Sequence, residues 1–230
     1  MLAAHKLSPD AVPVLPTRLN QNVADFVALY QNGLPFVHQQ HLRAKRISHV
    51  TLVDTQRLPS IRRVKSDIPV HIIDHHPLAH EIQSHQTFKG DLVGAATTLL
   101  VEEIRERSIP INSLEATLLA LGIYEDTGSL SYGTTTARDL HAAAWLLEQN
   151  AVLETVRRFL TPPLNEEQQH LFDMLVASAE TRTVEGYTVT IAKASVDAYI
   201  SEISSVTHRL QDVLESAALF VLVQMPGSLQ

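Results

Sequence analysis

The sequence predicts an α/β fold, in which a mostly parallel sheet is flanked by helices and is followed by a connecting helix and a partial small α/β domain. Two runs, 47–55 and 67–76, are rich in β-branched residues and carry acidic residues where they end. Their continuous apolar character is typical of parallel strands that are covered on both faces. Segments with helical spacing of apolar residues follow them, and a hairpin pattern appears near the C-terminus, which completes the α/β pattern.

The bulk composition excludes several classes of protein. The 230 residues are 45% hydrophobic and 19% charged, with a formal net charge of −7 and no cysteine. A chain of this length can bury a sizeable core, and its charge provides no global basic field for holding nucleic acid. The lack of cysteine excludes disulfides and thiolate metal sites and fits a reducing compartment. No apolar run has the length of a membrane span and no export signal is visible, so the expected location is the cytoplasm.

Apolar spacing and capping signals predict the elements around the two strands. Residues 11–15 read as a short strand and 20–33 as a helix. Three helix starts show a capping-box pattern, in which a capping residue is followed three positions later by an acid or a glutamine: Asn112 with Glu115, Thr136 with Asp139, and Asn165 with Gln168. The predicted helices cover 93–107, 112–126, 136–150 and about 152–160, and a longer one starts at Asn165.

A proline pair at 162–163 divides the chain. We expect a first domain over 1–162, a connecting helix over 163–180 and a partial second domain over 181–230. In the last part we expect a hairpin that turns at Glu185–Gly186, a helix over about 196–215 and an apolar strand over 218–225 that is buried in a sheet. Because so few residues follow this strand, the second domain reads as incomplete.

Acidic residues stand where the predicted strands end, and in open α/β sheets ligands bind outside those carboxyl ends. The segment "HVTLVD" brings Asp54 to one end, and "VHIID" brings Asp74 to another, with His75 and His76 directly after it. A third acid, Asp126, follows an apolar helix in "GIYEDTGSL". Carboxylates and imidazoles in this combination suit Mn²⁺, Mg²⁺ or Co²⁺. The residues therefore predict a divalent-metal site.

Each of these residues also has a simpler interpretation. An acid at the end of a strand or helix is often a cap or a turn residue, which applies to Asp54 and to Asp126. The triplet 74–76 can be a turn with incidental histidines. A local basic run after Asp54 could face a phosphate, although a solvated loop is the favoured reading of the residues alone: Arg57, Arg62, Arg63 and Lys65.

Four segments resemble, in order and spacing, a known family: "VDTQ" (53–56), "IIDHH" (72–76), "GAATT" (94–98) and "GIYEDTGSLSYGTTTARD" (122–139). They are similar to the second, third and fourth motifs of the DHH phosphoesterase superfamily. That superfamily includes RecJ-type exonucleases, nanoRNA and cyclic-dinucleotide phosphodiesterases, exopolyphosphatases and family II inorganic pyrophosphatases. The long last segment most resembles the DHH module of bacterial DHH–CBS–poly(A) polymerase proteins of the tRNA nucleotidyltransferase type. By this resemblance, 1–162 is a DHH domain and 181–230 is part of the DHH-associated substrate domain.

The resemblance implies a metal-binding and a catalytic role for five residues. Asp54 matches an aspartate that bridges two Mn²⁺ ions, and His75 and Asp126 match ligands of the second ion. His76 matches a catalytic histidine that contacts the phosphate of the substrate. Asp74 matches a group that orients the cluster.

The resemblance also implies substrate-binding residues. Gly94 and Thr97, at the start of a predicted helix, would offer a backbone N–H and a hydroxyl group to a phosphate, with small-residue helix packing as an equal alternative. Arg57 is a further candidate for the substrate. The family's first motif, a strand followed by a His-x-x-x-Asp-x-Asp pattern, has no counterpart in this sequence. The chain therefore resembles a DHH protein truncated at both ends, and without that motif the first ion loses two of its expected ligands.

Two functions from different classes fit these observations. The first is a Mn-dependent phosphoesterase or phosphodiesterase that cleaves a phosphorylated small molecule or a short oligonucleotide by two-metal hydrolysis, with impaired activity in this chain. The alternative is a non-catalytic nucleotide- or RNA-binding or regulatory module of a larger tRNA nucleotidyltransferase-type protein. The expected partners are the substrate and either a second copy of the chain or fused downstream domains, with no membrane.

Overall fold

The structure, a computed structural model, describes residues 1–16, 19, 21–42, 47–59, 67–160, 163–214 and 216–229. The chain forms two compact units, Met1–Pro162 and Pro163–Gln230. Helices flank sheets whose strands are mainly parallel, so the predicted α/β class is confirmed.

The first unit contains two parallel sheets. The smaller sheet pairs β1 (Val14–Leu15) with β2 (Val37–His38). The larger sheet has the order β3-β4-β5, in which the central strand β4 is parallel to both neighbours. Its strands are β3 (Val50–Val53), β4 (Val70–Asp74) and β5 (Gln86–Gly90). The helices of this unit are α1 (Leu2–Leu7), α2 (Gln21–Tyr30), α3 (Ala96–Glu106), α4 (Ser113–Asp126), α5 (Ala137–Glu148) and α6 (Leu153–Leu160).

Strand β4 is covered on both faces, which explains why its residues are apolar apart from His71 and Asp74. Ile73 belongs to the main core of the unit, to which α3, α4 and α5 contribute most of the side chains. Ile72 points the other way and packs with Leu52, Ile68 and Val70 in a second cluster. Because successive side chains of a strand point to opposite faces, a strand between two cores carries apolar residues on both faces.

The predicted helix caps are present. The Asn112 side chain accepts from the Glu115 N–H at 2.9 Å, and the Glu115 carboxylate accepts from the Asn112 N–H at 2.8 Å. Asn165 and Gln168 make the same reciprocal pair at 2.8 and 3.1 Å. These bonds satisfy N–H groups that have no partner within the helix, which is why the starts could be located from the sequence.

Strands β2 and β5 are not predicted by the apolar pattern. The β5 sequence "QTFKG" has one large apolar side chain, Phe88, so it shows neither alternation nor an apolar run. Strand β5 exists because its backbone pairs with β4 from Val70↔Gln86 to Asp74↔Gly90. Backbone hydrogen bonds to an existing strand therefore decide this element, and side-chain polarity does not.

The second unit combines a hairpin, two helices and a parallel crossover. Strands β6 (Glu180–Val184) and β7 (Tyr187–Ser195) are antiparallel, and their turn at Glu185–Gly186 has positive φ at both residues, as a two-residue hairpin loop requires. The remaining elements are α7 (Glu166–Ser178), α8 (Ile203–Leu214), β8 (Ala218–Met225) and β9 (Ser228–Leu229). Helix α8 is shorter than the expected 196–215. The sheet has the order β6-β7-β8-β9, with β7 and β8 parallel.

One face of this second sheet is covered by α7 and α8. Leu171 and Leu175 of α7 and Val206 of α8 join Ala192 and Val223 of the sheet in one buried cluster. The helix expected as a connector therefore packs inside the second unit.

The expected burial of 218–225 holds for one face of β8 only. On its other face Phe220 is 58% exposed and Leu222 is 39% exposed. The sheet presents this second face to solvent. In the part of the chain that the structure describes, every helix is too short or too polar to cross a membrane.

Substitution in α4 tests how far the core supports the helix that ends at Asp126. Ile123 is fully buried, so Ile123→Ala should lower the free energy of unfolding by about 2–5 kcal/mol through lost burial and a residual cavity. Urea denaturation followed by circular dichroism measures this change. The matched control is Leu29→Ala on α2, where the side chain is 61% exposed and the expected change stays within about 0.5 kcal/mol. Equal effects of the two changes would contradict the packing described here.

Candidate metal centre

The carboxyl ends of β3 and β4 meet at one edge of the larger sheet. Their parallel register pairs Val53 with Ile73, so the next residues, Asp54 and Asp74, are neighbours at that edge. The Asp54 N–H donates to the Ile73 carbonyl oxygen at 2.9 Å, which continues the ladder by one residue. The structure thus brings both strand-end acids to the position where ligands bind in open α/β sheets.

Four of the predicted residues form a compact set of ligand atoms: Asp54, Asp74, His75 and His76. Each offers one oxygen or nitrogen, and these atoms all lie within 4.8 Å of one another. Asp54 Oδ1 is 3.4 Å from His75 Nε2 and 3.7 Å from His76 Nδ1. Among the residues that the structure describes, this is the one such group of three or more metal-binding side chains.

Asp54 holds its position with an unusual backbone conformation. Its φ is 60°, in the left-handed region that residues other than glycine seldom adopt, although aspartate tolerates it better than most. The residue directly after β3 therefore turns sharply while its carboxylate faces both imidazoles. Backbone strain of this kind concentrates at functional sites.

The protonation of the His75 ring follows from its backbone partner. Nδ1 lies 3.1 Å from the Val93 carbonyl oxygen, which can only accept, so Nδ1 carries the proton. In the neutral ring, Nε2 then presents its lone pair toward Asp54 Oδ1. Two acceptors that face each other at 3.4 Å repel unless a cation or a proton lies between them, which is the arrangement expected of two metal ligands.

His76 is held by Asp74, which is 2% exposed. The Asp74 Oδ1 atom accepts from His76 Nδ1 at 2.8 Å and from the His76 N–H at 3.2 Å. Burial acts to raise the pKa of Asp74, but hydrogen bonds from His76 and Gln56 outweigh it, so this pKa lies below its usual value. The imidazole of His76 itself is 60% exposed. Asp74 thus orients a ring whose Nε2 is left for another partner.

Asp126 ends α4 beside the cluster but outside the 4.8 Å set. Burial, and next the negative charge of Asp54, raise the pKa of Asp126 to about 6. Burial also raises the pKa of Asp54, against the attraction of His75. The charges of Asp54 and Asp126, at the end of β3 and at the end of α4, therefore influence each other.

The donor set fits a divalent cation. In the described part of the chain, the ion-pair partners of Asp54 and Asp74 are imidazoles, and no lysine or arginine pairs with either carboxylate. The charge of Asp54 also acts on the Met1 amino group, whose pKa burial lowers to about 6. Carboxylate oxygens and imidazole nitrogens without thiolates are the ligands of Mn²⁺, Mg²⁺ or Co²⁺. A divalent cation would offset the negative charge of these carboxylates, which no lysine or arginine among the described residues balances.

The predicted phosphate contacts at "GAATT" are engaged within the protein. The Gly94 N–H donates to the Asp139 carboxylate at 2.8 Å. Thr97 packs against Gly122, where an added Cβ would lie 2.9 Å from the Thr97 hydroxyl. Helix α3 starts at Ala96 with no side-chain cap. The assignment of Gly94 and Thr97 to the substrate stays a prediction.

The structure describes only part of the basic run that follows Asp54. Arg57 is exposed, three residues after Asp54. Within the described residues it makes no ion pair with the cluster. Arg62, Arg63 and Lys65 lie outside the described residues. The role of Arg57 in substrate binding therefore also stays a prediction.

Asp139 supports the position of His75 through the segment before α3. The sequence did not reveal this role, because the capping-box pattern already explained an aspartate at this position. Its fully buried carboxylate accepts four hydrogen bonds: from Gly94 N–H at 2.8 Å, Thr98 Oγ1 at 2.6 Å, and Thr136 N–H and Oγ1 at 2.7 Å each. It therefore ties the segment before α3 to the start of α5. That segment includes Val93, whose carbonyl orients His75.

Comparison with known proteins identifies solved structures that share the fold of this chain. No protein-family model matches the chain. An exopolyphosphatase-related protein from Bacteroides fragilis superimposes with a TM-score of 0.72 at 13% identity, over 99% of this chain and 71% of that one. A candidate family II inorganic pyrophosphatase from Methanococcus jannaschii gives 0.55 at 18% identity, over 96% and 79%. These matches show a shared fold. The shared fold agrees with the resemblance of the motifs to the DHH phosphoesterase superfamily.

Two relatives that match nearly the whole chain have the same name. The A-adding tRNA nucleotidyltransferases of Geobacter sulfurreducens and Aquifex aeolicus are each 35% identical, over 98% and 96% of this chain. The chain spans 26% of the length of each. A Listeria innocua protein named probable manganese-dependent inorganic pyrophosphatase is 30% identical over 44% of this chain and 33% of its own length. The homologues point to a DHH phosphoesterase or a tRNA nucleotidyltransferase-related module.

Replacing Asp139 tests the support of the site. Asp139→Asn should lower the free energy of unfolding at neutral pH by about 2–4 kcal/mol, because a neutral amide cannot accept all four bonds. These hydrogen bonds, against the opposing effect of burial, hold the pKa of Asp139 below its usual value. The stability they provide is thus present above the unfolded pKa of about 3.9 and is lost as the pH falls through the lower folded value.

Unfolding measured from pH 7 downward should therefore show the gap between wild type and Asp139→Asn closing only in strong acid. Asp10→Asn, at an exposed carboxylate, is the control and should change little. A gap that is absent at pH 7, or that widens in acid, would refute this account of Asp139.

Proposed function

We propose that this chain is a metal-dependent phosphoesterase module that binds Mn²⁺ at the carboxyl edge of β3 and β4 and acts on a phosphorylated small molecule or a short oligonucleotide. The observation that carries this proposal is the group of Asp54, Asp74, His75 and His76, with four ligand atoms within 4.8 Å. Similarity to DHH phosphoesterases supports the reaction class. The name of the Listeria innocua relative supports manganese as the ion.

In the proposed centre, Asp54 and His75 hold the ion, together with Asp126. Asp54 Oδ1 already faces His75 Nε2, and because the Val93 carbonyl accepts from Nδ1, Nε2 carries the lone pair in the neutral ring. A bound divalent cation supplies Lewis acidity, which favours ionisation of water and offsets negative charge that develops on a phosphoryl group.

His76 would meet the substrate. Asp74 accepts from its Nδ1, so Nε2 of this exposed ring, when it is protonated as well, can donate to a phosphoryl oxygen. The mechanism of two-metal hydrolysis requires a second cation beside Asp54. The described residues supply few ligands for it besides Asp54, so we propose that activity in this chain is low.

A second candidate is a non-catalytic module that binds nucleotide or RNA. The observation that favours it is the 35% identity to A-adding tRNA nucleotidyltransferases over nearly the whole chain, which spans 26% of those proteins. In this alternative the module contributes binding or regulation to a larger tRNA nucleotidyltransferase-type protein. In that case the four-residue group and its bound cation serve to hold a phosphate of the bound nucleic acid.

Calorimetric titration with Mn²⁺ tests the metal site. We expect about one site per chain, with the affinity reduced more than about 100-fold in Asp54→Ala and in His75→Ala, since loss of a ligand exceeds the 10- to 100-fold cost of losing a supporting group. The control is His80→Ala, because His80 belongs to the same loop but lies outside the four-residue group. Two tight sites, or affinity that is insensitive to Asp54 and His75, would overturn the assignment.

Hydrolysis of bis(4-nitrophenyl) phosphate with Mn²⁺ separates the two functions. The enzyme proposal predicts slow hydrolysis that disappears in Asp54→Ala and persists in His80→Ala, because Asp54 positions the cation. The alternative predicts no hydrolysis, together with binding of a short oligoribonucleotide measured by fluorescence anisotropy. Hydrolysis that survives Asp54→Ala would contradict the first function, and absence of both activities would contradict both.

A further inference from the structure

The side chain of Gln56 joins the segment after β3 to the turn after β4. It is 8% exposed. Its Nε2 donates to Asp74 Oδ2 at 3.0 Å and to the Pro77 carbonyl at 3.1 Å, with a longer contact of 3.4 Å to the His76 carbonyl. Its Oε1 accepts from the Ala79 N–H at 2.8 Å. The Gln56 amide thus contacts the Asp74 carboxylate and the backbone of the turn that carries both site histidines.

The contact with Asp74 has a consequence for His76. Because Gln56 occupies Oδ2, the carboxylate cannot rotate freely, and its Oδ1 remains directed at His76 Nδ1 and at the His76 N–H. An acceptor held against Nδ1 keeps the proton on that nitrogen and leaves Nε2 outward. The chain of contacts therefore runs from Gln56 through Asp74 to the ring of His76.

The contacts with the backbone have a second consequence. Gln56 lies two residues after Asp54, whose backbone is in the left-handed region. By holding Pro77 and Ala79 to this segment, the amide keeps the turn over 74–79 against the strand end that carries Asp54. Asp54 and the histidines come from strands that are separated in sequence, so their spacing depends on such a tie.

We propose that Gln56 is a positioning residue of the metal centre, which orients Asp74, sets the tautomer of His76 and holds the two imidazoles at their spacing from Asp54. This inference rests on the proposed metal-binding function and deepens it. Within the described residues, Gln56 makes no hydrogen bond to Asp54 or His75, two of the proposed ligands, and acts through Asp74 and the turn. Outer groups that orient ligands in this way commonly contribute 10- to 100-fold to metal affinity.

Gln56→Met tests this role, because it fills a similar volume and removes the amide. The first readout is ¹⁵N NMR of the metal-free protein at alkaline pH, where the neutral ring nitrogens report the tautomer directly. The pH must be well above the usual histidine pKa of about 6.5, because the hydrogen bond to Asp74 raises the pKa of His76. We expect His76 to be protonated at Nδ1 in the wild type and to become a mixture of tautomers in the variant. The second readout is Mn²⁺ affinity by calorimetry, which should fall about 10- to 100-fold.

The matched control is Gln168→Met in the second unit. Gln168 is also 8% exposed and its amide donates to the Ser201 carbonyl at 3.1 Å, so the control loses a comparable buried amide away from the site. It should leave the His76 tautomer and the Mn²⁺ affinity unchanged. Gln56→Asn keeps a buried amide and the fold, but it is one methylene too short to reach Asp74 and Ala79 together, and it should shift both readouts in the same direction.

Two results would overturn the inference. A His76 tautomer and a Mn²⁺ affinity that are both unchanged in Gln56→Met and Gln56→Asn would make Gln56 a turn residue only. Equal losses of affinity in Gln56→Met and Gln168→Met would indicate a general effect of stability. If the wild type binds no Mn²⁺, the proposed function fails, and the tautomer alone then decides whether Gln56 orients Asp74 and His76.

Discussion

The parallel register of β3 and β4 is the constraint on which the site depends. It places Val53 opposite Ile73, and the additional hydrogen bond from the Asp54 N–H to the Ile73 carbonyl extends this pairing by one residue. Asp54 and Asp74 then reach the same edge. A shift of one residue would turn the side chains to opposite faces and separate the carboxylates. The two cores that cover β4 oppose such a shift, since Ile72 and Ile73 each need their own side of the sheet.

Around this register, negative charge gathers at one site, and among the described residues no lysine or arginine pairs with Asp54 or Asp74. These two acids share one edge, and the charge of Asp54 also acts on Asp126. Burial raises the pKa of Asp54 and Asp126, while hydrogen bonds lower that of Asp74. The supports are neutral: the Val93 carbonyl, which orients His75, and the Gln56 amide. The molecule thus keeps the geometry of its donors by hydrogen bonds that add no positive charge of their own, which leaves the compensation to a ligand.

Sequence reasoning selected the donors that cluster in the structure, and Asp74 as an orienting group, but it missed the supporting contacts of Gln56 and Asp139. Asp54, His75 and their neighbours could be predicted because each follows an apolar element and belongs to a motif with recognisable spacing. Gln56 contacts Asp74 across 18 positions of sequence, and Asp139 contacts Gly94 across 45. Neither contact leaves a local pattern. The segment "VDTQ" includes Gln56, but a sequence motif does not show where the side-chain amide of Gln56 points. Strand β5 was missed for a related reason, since pairing with β4 and not its own side chains makes it a strand.

The sequence by itself determined the α/β class, strands β3 and β4, most helix starts and the residue types of a candidate divalent-metal site. These features are local: apolar periodicity, capping pairs and acids at the ends of strands act within a few residues of one another. The tertiary structure decided which atoms of those residues face each other. It brought Asp54 to the histidines, left Asp126 outside the closest set, and engaged the Gly94 N–H with Asp139. Distances between side chains on different strands and helices depend on register and packing, which no single segment of the chain specifies.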